Sequence, residues 1–179
     1  MLIFKKNIRK FTEEQIISVL YKIGTKINID YIANIVSNKK NRIVFYSIGD
    51  EKNIYNCPCG LIYNVEKKKN DINIYILFIA TASKFRKVGY ASLFIKEFTS
   101  YIKEKYKNDN NNVKIILDSI IDAVTFYEHI GFKWIITNEY NKRLKIENNE
   151  NNNENNNENN NEYYNDYCIE HFIMIYQVT

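Results

Sequence analysis

The run INIYILFIATA, residues 72 to 82, does most to limit what this chain can fold into. Its apolar side chains fall on both faces of a two-residue repeat, so as a strand it needs cover on each side. It is about half as long as the ~20 residues of a membrane-spanning helix. A central sheet strand between two helical layers is the remaining solution.

The rest of the chain supplies such layers. LIFK (2–5) reads as a short first strand. In FTEEQIISVLYKIG, Thr12 is an N-cap ahead of Ile16, Ile17, Leu20 and Tyr21 at helical spacing, and Gly24 ends the helix. IDYIANIVSN, from about 29 to 38, is a second helix. RIVFYSI (42–48) and CGLIYNV (59–65) form a hairpin across a polar turn, and IYILFIATA (74–82) is the central strand. A helix over 89 to 106 follows, with Leu93, Phe94, Phe98, Tyr101 and Ile102 on its apolar face. VKIILD (113–118) is a strand, and Ser119 with Asp122 forms an S-x-x-D capping box opening a helix from about 120 to 130, capped by Gly131. FKWIIT and CIEHFIMIYQV (168–178) are then an antiparallel pair. The expected class is α/β (α+β), with a mixed, mostly antiparallel sheet of six to seven strands and helices on both faces.

Residues 1–179 fit one domain. Between the last two strands, ENNENNNENNNENNNE (147–162) has nothing apolar to bury and is expected to be a disordered insertion at a hairpin tip. The formal net charge of +4 becomes +9 once the five glutamates of this segment are set aside. Such a body suits a phosphate-rich cofactor or a nucleic acid, although scattered surface lysines give the same sum. No nucleic-acid motif accompanies the charge, which makes a nucleic-acid partner the weaker expectation. Cys57, Cys59 and Cys168 are odd in number and lack paired C-x-x-C spacing, so neither a disulfide framework nor a metal site is expected. Reduced thiols, a first apolar stretch too short for a signal peptide, and no membrane-length run point to a soluble cytoplasmic protein.

After the central strand comes FRKVGYASLFIKEF (85–98). The first turn of a helix leaves backbone N–H groups unpaired, and its dipole adds positive potential. Gly89 allows a positive φ or close ligand approach, Ala91 keeps the next turn small, and Arg86 and Lys87 add charge. The turn suits a diphosphate, yet it is neither a G-x-x-x-x-G-K-[ST] loop nor a G-x-G-x-x-G fingerprint. Read by itself, it serves equally well as a basic cap on a core helix.

Further on, KIILDSIIDAVTFYEHIGF (114–132) sets Tyr127 in a helix four residues before Gly131-Phe132. Arg86-x-x-Gly89-x-Ala91 on one strand–helix unit, with Ala123, Tyr127, Gly131 and Phe132 on the next, resembles the GNAT superfamily of acetyl-CoA-dependent N-acetyltransferases. The resemblance covers residues 42 to 135, and the final hairpin matches in topology only. It implies acetyl-CoA as co-substrate, no metal, and direct attack of a free amine on the thioester without an acyl-enzyme. It implies that backbone N–H groups near Phe78, Ile79, Ala80 and Thr81 hold the thioester and its developing oxyanion. Those of Arg86, Lys87, Val88, Gly89, Tyr90, Ala91 and Ser92 hold the diphosphate, and Tyr127 is the general acid for the departing thiolate.

The chain departs from the family where Ile120 replaces a frequent Asn and where 74–82 carries no carboxylate. Asp118 is the candidate base, with Asp122 nearby in the capping role. A missing strand base favours a weakly basic acceptor over lysine. KIILD followed by V-x-F-Y-E-x-x-G-F is similar to eukaryotic glucosamine 6-phosphate N-acetyltransferases, which makes a phosphorylated amino sugar the favoured acceptor. Gly-x-Ala in the first motif fits protein N-terminal acetyltransferases, so a protein N-terminus or a lysine stands as the alternative. A non-catalytic CoA-binding module is the reading from another class, and a homodimer is left open.

Overall fold

The computed structural model of the chain describes residues 1–4, 11–24, 27–49, 53–135 and 171–178. Cys168, the repeat at 147–162 and the outer ends of the last two expected strands lie outside the described residues. In chain order the elements are β1 (Leu2–Phe4), α1 (Glu13–Ile23), α2 (Ile29–Ser37), β2 (Arg42–Tyr46), β3 (Cys59–Lys67) and β4 (Asp71–Thr81). There follow α3 (Tyr90–Tyr106), β5 (Asn112–Ile120), α4 (Ile121–His129), β6 (Lys133–Trp134) and β7 (His171–Val178). This is the order that the periodicities predict.

The strands form a single seven-stranded sheet, β1-β2-β3-β4-β5-β7-β6. Only β4 and β5 run parallel, joined by the crossover through α3; the other neighbours are antiparallel. β7 lies between β5 and β6, so the last strand pairs with β5 as well as with its expected partner.

Each face of the sheet has its own apolar layer. On one, Ile16, Val19, Leu20 and Ile23 of α1, with Ile32 and Val36 of α2, pack on Ile43, Phe45, Ile62 and Phe78. On the other, Phe94, Ile95, Phe98, Ile102 and Tyr106 of α3 cover Leu61, Tyr63, Ile74, Ile76 and Leu117. Burying a phenylalanine such as Phe98 fully contributes ~1.5–3 kcal/mol. The central strand is thus covered on both sides, as its composition demands.

Three local expectations are corrected. Leu93 is 48% exposed, because the α3 stripe is centred on Phe94, Phe98 and Ile102 at four-residue spacing and Leu93 lies a turn-step to its side. Tyr21 is also exposed, since the buried stripe of α1 runs through Val19 and Ile23 instead. The Ser119–Asp122 capping box does not form: β5 continues to Ile120, Ser119 pairs with Phe172, and its hydroxyl donates to the Ile120 carbonyl at 2.9 Å. Ile120 is the N-cap residue of α4, and Asp122 sits in the first turn, where its charge favours the helix dipole. By contrast, Thr12 caps α1 as expected, in a full capping box with Gln15.

Candidate active site

The β4–β5 ladder runs from Asp71/Asn112 to Ile76/Leu117 and stops. Beyond that point β4 keeps pairing with β3 as far as Thr81, while β5 pairs only with β7. The β3–β4 register also shifts there: Tyr63 faces Ile76 and Ile62 faces Phe78, leaving Leu77 without an opposite residue. A bulge of this kind re-aims the backbone and reverses the side-chain alternation. Ile72, Ile74 and Ile76 accordingly lie in the α3 layer, whereas Leu77 and Phe78 both belong to the α1/α2 layer. The edge of β4 beyond the bulge carries backbone groups that β5 no longer pairs.

The parted strands enclose a cleft of about 340 Å³. Leu77, Phe78 and Ile79 form one wall; Leu117, Asp118 and Ser119 form the other, extended by Tyr127 from α4. Ile27 and Tyr31 lie across the opening. Asp118 is the one carboxylate among the described lining residues, and no lysine or arginine is among them. Asp122, exposed on α4, does not line the cleft.

Tyr127 is 8% exposed, and burial alone pushes its hydroxyl up to about 12. The end of α4 fixes it in place. The Phe132 N–H donates to the Tyr127 carbonyl at 3.0 Å, and the Gly131 N–H to that of Glu128 at 3.0 Å. With Gly131 at φ 98°, this is a Schellman cap, completed by the Tyr127 and Phe132 rings at 5.6 Å. The Tyr-x-x-x-Gly-Phe spacing therefore has a mechanical meaning: glycine turns the chain and phenylalanine clamps the tyrosine.

At the same end of the sheet, β4 leads into the glycine turn. A single tight helical turn, Ser83–Phe85, is followed by Arg86, whose Nε donates to the Thr81 carbonyl at 3.0 Å. Lys87 at φ 63° and Gly89 at φ 86° are both left-handed, a conformation costing an L-residue ~1–2 kcal/mol. Gly89 is the N-cap of α3 and no side chain caps it, so the first N–H groups of the helix remain available to a ligand. A Cβ built on Gly89 meets no atom within 4 Å. Of the expected cofactor residues, Phe78 and Ile79 line the cleft, and Arg86 to Ser92 form the turn and the start of α3. Ala80 and Thr81 connect the two along β4.

Sequence reasoning missed Tyr31. Its hydroxyl donates to the Leu77 carbonyl at 2.8 Å, pinning α2 to the bulge. Burial and then the charge of Asp118 raise its pKa. Forty-six residues separate the two partners, and no local pattern announces the contact. Cys57 and Cys59 are buried free thiols pushed up to about 12 and 11, chiefly by burial, which makes them poor nucleophiles. No group of side chains suited to a metal occurs among the described residues, and none of their helices is long and apolar enough to cross a membrane.

No protein-family model matches the chain, and no curated protein matches it significantly. Solved structures do. Tetrahymena GCN5 superposes with a TM-score of 0.62 at 10% identity, covering 100% of this chain and 96% of that one. Arabidopsis thaliana Naa50, in complex with the bisubstrate analogue CoA-Ac-MVNAL, gives 0.54 at 14% identity, covering 98% and 97%. A Bacillus subtilis acetyltransferase in complex with CoA gives 0.56 at 14% identity over the full length of both chains. Together with the parted β4 and β5, these likenesses establish that this chain has the fold of the GNAT acetyltransferases.

Proposed function

We propose that the chain is an acetyltransferase that passes the acetyl group of acetyl-CoA directly to a primary amine. One observation carries the reading. A bulged, half-unpaired strand edge, an uncapped glycine turn and a clamped tyrosine meet at the end of the sheet where β4 and β5 part. Acetyl-CoA would supply an activated acetyl thioester. The N–H groups at Gly89 to Ser92, aided by Arg86 and Lys87, suit its diphosphate, and the edge of β4 from Phe78 to Thr81 suits the thioester. Tyr127 donates a hydrogen bond to the departing sulfur, and Asp118 at the mouth accepts the amine proton.

The acceptor this cleft suits best is an amine in apolar surroundings, foremost the α-amine of a peptide. At pH 7 an α-amine of pKa near 7.8 is about one-tenth free base, whereas a lysine of pKa 10.4 is free in roughly one molecule in 2,500. A single exposed Asp118 is sufficient help for the first and little for the second. A phosphorylated amino sugar, favoured by the sequence over 114–132, also has a weakly basic amine. Its phosphate, however, calls for cations, and the described lining offers none.

Release of CoA thiol, measured with acetyl-CoA and a Met-starting peptide, a lysine peptide with blocked N-terminus, or glucosamine 6-phosphate, tests the reading. Turnover is expected with the first peptide. Turnover with the sugar alone would reverse the choice of acceptor, and CoA binding without turnover on any amine would favour a non-catalytic CoA-binding module.

A further inference from the structure

The helical cover of the sheet stops short of its C-terminal strands on one face. Val113, Ile115 and Leu117 of β5, with Phe172 and Met174 of β7, point into the α3 layer. By the two-residue alternation, Ile116, Asp118 and Ile120 of β5 and Ile173 and Ile175 of β7 point to the other face. There α1 and α2 pack on β2, β3 and the end of β4, and none of these isoleucines belongs to either apolar layer of the described residues. The Ile135 N–H donates to the Ile173 carbonyl at 2.9 Å, one step beyond the pairs Lys133/Ile175 and Trp134/Met174. Ile135 therefore lies beside Ile173 on the same face.

Register joins these side chains into one strip. Ile116 stands opposite Ile175, and Asp118 opposite Ile173, with Ile120 two residues beyond Asp118. Ile120, Ile173 and Ile135 are 45%, 42% and 43% exposed. A single exposed isoleucine needs no explanation, but a contiguous set marks a surface that a partner covers. The strip is also continuous with the cleft, since Asp118 and Ile120 line both. From Asp118 to Ile135 it crosses two gaps between strands, ~10 Å, the reach of about three extended residues.

We propose that this strip docks the acceptor, a polypeptide whose residues after the first are apolar. The proposal rests on the cleft being an acetyl-transfer site. The amine then enters beside Asp118, whose charge suits an ammonium, and the following side chains lie across Ile120, Ile173 and Ile135. A second copy of the chain suits the strip less well. It would take the exposed Asp118 carboxylate out of water, which is costly for a charge, and it would close the cleft. A peptide brings its own cation to that carboxylate and loses it on acetylation.

Two C-terminally labelled hexapeptides, Met-Leu-Val-Leu-Gly-Lys and Met-Ser-Asn-Ser-Gly-Lys, share an amine and a first side chain. Fluorescence anisotropy of each, titrated with the CoA-saturated full chain, tests the docking strip. Release of CoA thiol from acetyl-CoA with the same peptides tests the transfer reading separately. The apolar peptide is expected to bind at least tenfold tighter than the polar one. Ile135→Thr combined with Ile173→Thr keeps β-branched side chains in the strands. It should weaken the apolar peptide about tenfold, as expected for two lost buried methylenes, and leave the polar one within twofold. Selective binding without thiol release would uphold the strip and defeat the transfer reading. Thiol release with equal affinity for both peptides would keep that reading and overturn the proposal. No saturable binding, or no selective loss in the double variant, would overturn it as well. A wild-type dimer in sedimentation that the double variant splits would assign the strip to a second copy, and the proposal would fall.

Discussion

If the glycine turn holds a diphosphate through its backbone, replacing Gly89 should injure CoA binding more than removing the nearby Arg86 charge. At Gly89 the backbone has φ 86°, and a side chain there would point into open space. The Cβ of Gly89→Val therefore meets no clash in the free protein, and the left-handed backbone costs the substitution ~1–2 kcal/mol. For a chain of 179 residues that is a fall of ~2–8 °C in melting temperature. A valine at this N-cap position stands beside the uncapped N–H groups of α3 and is expected to obstruct a diphosphate bound there. Loss of one bond from such a group to a charged phosphate, ~1.5–3 kcal/mol, weakens CoA by about 10- to 150-fold. Arg86→Ala removes an exposed charge and the bond to the Thr81 carbonyl. At ~0.5–1.5 kcal/mol it should weaken CoA by only about 2- to 12-fold. Calorimetry of CoA against both variants measures the ratio, with pantetheine, which has no diphosphate, as a control that neither change should affect. An Arg86→Ala loss equal to or larger than that of Gly89→Val would refute the reasoning.

Three further outcomes are expected. Tyr127→Phe should lower kcat by about 10- to 150-fold, the value of one hydrogen bond to an anionic sulfur, while CoA affinity measured by calorimetry stays within twofold. Gly131→Ala should destabilise the fold by ~1–3 kcal/mol in denaturant titrations, because φ 98° is strained and the new Cβ lies 3.1 Å from Tyr176 Cε2. Cys57 and Cys59, raised from 9.0, and Tyr63 and Tyr127, raised from 10.0, hold their protons more tightly in the folded state. Their contribution is therefore complete below about pH 9 and is lost as pH climbs towards 12, so the urea midpoint should fall across that window, and less steeply in Cys57→Ala.

The sequence was most legible where its signals were local. Apolar spacing placed every helix and strand in order, and Gly131, as the C-terminal cap of α4, was visible four residues beyond Tyr127. The glycine turn was visible as a pattern, but its left-handed Lys87 was not, since no propensity favours that conformation for lysine. The bulge at Leu77 was likewise hidden. A strand apolar on both faces looks the same whether or not its alternation slips, and only the pairing of Ile62 with Phe78 reveals the slip. Tyr31 acts through a partner far along the chain, and a window of neighbouring residues carries no sign of it. Ser119 misled because S-x-x-D has the same letters whether the serine ends a strand or caps a helix. Pairing with Phe172 decided for the strand.

A hydroxyl held at about 12 limits how the proton of a departing thiol can be handled. A thiol has a pKa near 8.5, so complete transfer from Tyr127 to the thiolate runs uphill by about 3.5 units, ~5 kcal/mol. That exceeds the ~1.5–3 kcal/mol a hydrogen bond to the same sulfur contributes, so Tyr127 acts best as a donor that keeps its proton. The proton that ends on sulfur has a nearer source in the amine, which must shed one as the amide forms. If the acceptor arrives as an ammonium, Asp118, exposed at the end of β5, is placed to take that earlier proton, which leaves the one shed on amide formation for the sulfur. In the proposed reaction the two side chains would then divide the work, one moving a proton and the other steadying a charge. Neither task needs a carboxylate inside the central strand, and residues 74–82 contain none.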